Sequence, residues 1–170
     1  FSYVYEPLVD AGAIVASVNY GLCPTVSVEA IVQQTREATA WLYRNAAELG
    51  GDPDKLHLSG HSAGAHLAVM MMATDWKAFG SDLPADPIKS VTAISGVYDL
   101  DPIPHLSTNA DIRLDAASAR SLSPMFMTPI VDVPLSVIVG LSELDEFVRQ
   151  SKDFAADWTG KLSSVEYTEL

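Results

Sequence analysis

A chain of 170 residues with 48% hydrophobic content can bury one sizeable core, so residues 1–170 read as a single domain. The formal net charge of −12 disfavours nucleic acid and anionic membrane surfaces as partners and leaves a small molecule as the expected ligand. The single cysteine, Cys23, excludes an internal disulfide and fits a cytoplasmic setting.

Phe1 is not a natural start, and the opening residues lack the basic and apolar regions of a signal peptide, so the chain is expected to begin in mid-sequence. No apolar run approaches the roughly 20 residues of a membrane span. Residues 1–11 read as the end of a helix. Ala13 to Asn19, apolar and β-branched between Gly12 and Gly21, reads as a buried strand. A long amphipathic helix is expected from Ser27, ending at Gly50-Gly51-Asp52-Pro53.

Lys55 to Ser59 reads as a second strand, with His57 packed within it, and Ala65 to Ala73 as a buried helix. Further strands are expected at Ser90 to Ser95, Leu135 to Val139 and near Val165 to Tyr167, with a helix over Glu146 to Trp158. Pro102, Pro104, Pro124 and Pro129 between Val97 and Val133, with Pro134 just after, mark an irregular excursion over the ligand-binding edge. This alternation predicts an α/β fold with a mostly parallel sheet and helices on both faces.

Between the second strand and its helix stands Gly60-His61-Ser62-Ala63-Gly64. A bare Gly-x-Ser-x-Gly arises by chance in roughly one such chain in twenty. Set between a strand and an apolar helix it reads as the nucleophile elbow of the α/β-hydrolase fold. Glycines at 60 and 64 are expected because side chains there would collide with neighbouring backbone, and the Ala63 N–H would supply half of an oxyanion hole.

A serine nucleophile needs a histidine base and an acid, in the chain order serine, acid, histidine. Asp145 is the expected acid, ahead of Glu143 and Asp99; its acidic character would also suit a helix start. His57, His61, His66 and His105 all precede Asp145, so the base is expected after Leu170. Tyr20, Tyr98, Met125 and Phe126 are candidates for the substrate pocket. Neither metal nor organic cofactor is expected, and oligomeric state is not legible.

The run from Gly60 to Leu67, preceded by Gly51-Asp52-Pro53 and Trp41-Leu42-Tyr43-Arg44-Asn45, resembles the arylformamidases, or kynurenine formamidases, of the hormone-sensitive-lipase-like branch of α/β-hydrolases. Val18-Asn19-Tyr20, Ile94 to Leu100, Ser123-Pro124 and Asp145 to Ser151 also resemble that family. The resemblance implies hydrolysis of N-formyl-kynurenine to kynurenine and formate, with Ser62 as nucleophile and Asp145 as acid. It also implies a His-Gly-Gly segment before Phe1, completing the oxyanion hole, and a histidine just after Leu170. Two alternatives stay open. One is a general carboxylesterase of the same branch, the other a non-catalytic binding domain on a hydrolase fold.

Overall fold

The computed structural model describes residues 4–170; Phe1 to Tyr3, part of the first expected helix, lie outside the described residues. Helix α1 (Glu6–Asp10) is followed by α2 (Val28–Asn45), whose Ser27 side chain caps the Ala30 N–H at 3.2 Å. Strand β1 (His57–His61) leads into α3 (Ala63–Met72), then the single-turn helix α4 (Trp76–Phe79) and β2 (Ser90–Ile94). The excursion carries only the short helices α5 (Asn109–Ile112) and α6 (Ala116–Ser121) and single 3-10 turns, as its prolines require. Strand β3 (Leu135–Val139), α7 (Asp145–Thr159) and β4 (Val165–Glu169) complete the chain.

The strands form a wholly parallel sheet in the order β1-β2-β3-β4, with His61 opposite Ile94 and Ile94 opposite Ile138. Sequential parallel strands joined by right-handed crossovers place their helices on one face. One core cluster accordingly joins Val69, Met70 and Met71 of α3 to Val91, Ala93, Leu135 and Val137 of the sheet and to Phe154 and Trp158 of α7. The helical cover expected on both faces is seen, among the described residues, on this one. The opposite face, bearing Thr92, Ile94, Ser136 and Ile138, is half-buried. No helix of the described residues is long and apolar enough to cross a membrane.

Two expectations are corrected. Ala13 to Asn19 forms no strand: it has no regular structure and is largely exposed, with Ile14 58% accessible. A strand exists only where a neighbour takes up its N–H and C=O groups, and no described strand runs beside this segment. β1 begins two residues later than expected because Lys55 closes a 3-10 turn capped by Asp52, and His57 is exposed, its ring 2.7 Å from Ser90 Oγ.

Candidate active site

Ser62 lies between β1 and α3 with φ 55° and ψ −118°, one of three non-glycine residues at positive φ among the described residues. A side chain in that region costs on the order of 1–3 kcal/mol and persists only when its surroundings hold it there. They do: the Ser62 N–H donates to Ile94 O at 2.9 Å, while Ser62 O accepts from the Ala65 and His66 N–H groups at 3.0 and 3.2 Å. Ala63 opens α3, so its N–H is among those that find no carbonyl within the helix. Beyond it, every residue from Ala65 to Met72 is buried.

The two elbow glycines differ. A Cβ on Gly60 would stand 2.1 Å from Gly64 O, so the strand and helix backbones meet there with no room for a methyl. Gly60→Ala is therefore expected to destabilise the fold by about 3 kcal/mol, the upper end for overpacking, measured by denaturant unfolding. A Cβ on Gly64 meets nothing within 4 Å among the described residues, so the expected collision is absent at that position. His61 ends β1 and is exposed.

Asp145 is the exposed first residue of α7, and no described residue bonds its carboxylate; beside it, Arg149 foremost and then Gln150 hold Glu146 down to about 2. Both carboxylates occupy the turn where a helix dipole favours them. Asp99 is engaged locally, accepting from the Asp101 N–H at 2.9 Å. It is Glu143 that returns to the sheet edge: its Oε1 accepts from Ser95 Oγ and, at 3.1 Å, from the Gly140 N–H. Ser95 follows β2 as Ser62 follows β1, so the two serines end adjacent strands, about 4.8 Å apart in the sheet direction. The loop before α7, not the helix itself, therefore brings a carboxylate to the ends of β2 and β3.

Against the Ala63 end of α3 lies a cavity of about 250 Å³, walled by Tyr20, Cys23, Ile31, His66, Val97 and Leu100 among others. Among the described residues no Asp, Glu, Lys or Arg lines it. Tyr20 stands there. Tyr98 does not: it is buried in the core, stacked on Phe154 at 4.1 Å between ring centroids, and burial pushes its phenol well up. Phe126 is 39% exposed beneath the Arg120 guanidinium, and Met125 packs on the main core. Proline-rich spacing marked the excursion without showing that Val97, Leu100, Ile103 and Ile112, not the aromatics, turn inward to a satellite core.

His66 Nε2 donates to Leu122 O at 2.7 Å, and burial pushes the imidazole below its usual range. It is thus neutral and committed to holding α3 against the chain after α6. Because the unfolded chain binds this proton more readily, stability rises with pH through the window between the folded value and about 6.5, and is lost as pH falls through it. The midpoint of thermal unfolding is expected to drop between pH 7 and 5, and His66→Gln, which keeps a donor for Leu122, to flatten that drop.

With a strained serine between strand and helix at the end of a parallel sheet, the site can be set beside known proteins. Residues 1–154 match the family described as BD-FAE. The chain belongs to that family. Among relatives of the BD-FAE chain, the kynurenine formamidase of Salmo salar is 32% identical over 157 residues, which are 89% of this chain and 51% of that protein. A solved structure from Silicibacter sp. TM1040 superposes with a TM-score of 0.82 at 30% identity, covering 100% of this chain and 61% of that one. Carboxyl esterase 2 of Tuber melanosporum shares the fold at a TM-score of 0.76 and 21% identity, with 97% and 61% covered. The fold is that of the α/β-hydrolases, and the chain spans about half the length of the curated relatives it matches.

Proposed function

We propose that this chain carries the nucleophile and the acid of a serine hydrolase that cleaves an aryl formamide through an acyl-enzyme. The observation that carries this reading is Ser62 at φ 55° between β1 and α3, a strain with no purpose in a binding domain. The 32% identity with a kynurenine formamidase supports N-formyl-kynurenine as substrate. Ser62 Oγ attacks the formyl carbon while a histidine, supplied by the complete protein, takes its proton. The oxyanion draws on the Ala63 N–H and the start of α3. The histidine then protonates the departing aryl amine, and water releases formate from the formyl-Ser62 by the same steps reversed.

Glu143, rather than Asp145, is the acid in this reading, since it reaches the sheet edge and Asp145 does not. A cytoplasmic setting fits the free thiol of Cys23.

A second reading is a carboxylesterase for uncharged substrates. It is favoured by the cavity, whose apolar, charge-free wall suits an alkyl or aryl group better than a charged amino-acid end. At 250 Å³ it exceeds the ~150 Å³ that suffices for benzene. Relative kcat/KM of the full-length protein on N-formyl-kynurenine and on p-nitrophenyl esters of increasing acyl length decides between them. Faster formamide cleavage supports the first reading. A preference for the longer esters, with formamide cleavage a hundredfold slower, replaces it with the second.

A further inference from the structure

The serine after β2 repeats the backbone peculiarity of the serine after β1. Ser95 has φ 49°, is 2% exposed, and its N–H donates to Ile138 O at 2.7 Å, so it is locked against β3 in a conformation that few non-glycine residues adopt. Such strain at a buried position asks for a compensating interaction, and Ser95 Oγ supplies one by donating to Glu143 Oε1. The same oxygen receives the Gly140 N–H at 3.1 Å, and a Cβ on Gly140 would press to 3.2 Å from it. Two neighbouring strand ends thus grip one carboxylate oxygen. Among the described residues none donates to Oε2, which leaves that oxygen to accept from an imidazole N–H.

A second tie holds the same two loops together. Gln150, buried on α7, accepts the Tyr98 N–H at 2.8 Å and the Asp99 N–H at 2.9 Å through Oε1, and its Nε2 donates back to Asp99 O at 3.1 Å. The segment after Ser95 and the segment after Glu143 are therefore fixed to one another at two points. Of these only the Ser95 hydroxyl touches the carboxylate itself.

We infer that Ser95 is a positioning residue, its hydroxyl fixing Glu143 Oε1 so that Oε2 faces the histidine that serves Ser62. This rests on the reading of Glu143 as the acid. Without the hydroxyl, Oε1 keeps only the Gly140 N–H and the carboxylate can rotate. Misplacement of about 1 Å at a reacting centre costs on the order of a hundredfold.

The test uses the full-length protein with Ser95→Gly, which removes the hydroxyl yet suits a positive φ, and Ser95→Ala as a second variant. The expected result is a fall in kcat of about 10–100-fold with KM changed less than twofold. In the Glu143→Gln background, Ser95→Gly should cause no further fall, because a residue acting only through the carboxylate has nothing left to position. A loss that multiplies with that of Glu143→Gln, a loss confined to KM, or an unchanged kcat in both Ser95 variants overturns the inference. If Glu143→Gln itself leaves kcat intact, the acid assignment fails instead.

Discussion

Ser62→Ala in the full-length protein is expected to lower kcat by about 10⁶-fold, roughly 8 kcal/mol of transition-state stabilisation, while the folded state is kept or slightly stabilised. The size of the effect follows from the acyl-enzyme route: without Oγ no covalent intermediate forms, and what remains is the oxyanion donor and substrate binding. The stability effect follows from the backbone. Ser62 pays for its positive φ with no side-chain cap on α3, and Ala loses no bond that the hydroxyl makes in the fold. A fluorophosphonate probe should label the parent and not the variant, read by mass spectrometry of the peptide containing residue 62. Labelling that survives the substitution moves the nucleophile elsewhere and ends the reading of this turn.

How much of this was legible beforehand varies with the kind of signal. The elbow was plain in sequence because its constraint is local: a short strand with Leu56 and Leu58 alternating, a glycine where two backbones touch at Gly60, and an apolar helix from Ala65 are all read within about fifteen residues. The parallel sheet was legible for the same reason, from runs such as Leu135 to Val139. Ala13 to Asn19 carries an equally strong local pattern and forms no strand, since pairing is decided by a neighbour that no local window contains. The acid was the harder choice, because it turns on register. Asp145 and Glu143 stand two residues apart in a loop after β3, and only the fold shows that the shorter path from Gly140 curls back over the strand end while Asp145 is spent opening α7. Ser95 gave a signal that went unused: Ile94-Ser95 repeats the order of His61-Ser62, a serine directly after the last residue of a strand.

The second large effect separates those two acids. Glu143→Gln is expected to lower kcat by about 10³–10⁴-fold, whereas Asp145→Asn should change it less than twofold. The reason lies in who donates to position 143. Ser95 Oγ–H and the Gly140 N–H both point at Oε1, so a glutamine must place its amide oxygen there to keep the two bonds. That choice turns the NH₂ group toward the place of Oε2, where it presents a donor to the imidazole nitrogen that should itself donate. The histidine is then held in the tautomer whose other nitrogen carries a proton and cannot take one from Ser62. Asn at 145, exposed at the first turn of α7, forfeits only a charge at a helix N-terminus, about 0.3–1 kcal/mol of stability. Circular dichroism should find both variants folded, so that the kcat values compare chemistry. Should Asp145→Asn carry the large loss and Glu143→Gln the small one, the carboxylate at the sheet edge is a structural clasp and the acid is the one that opens the helix.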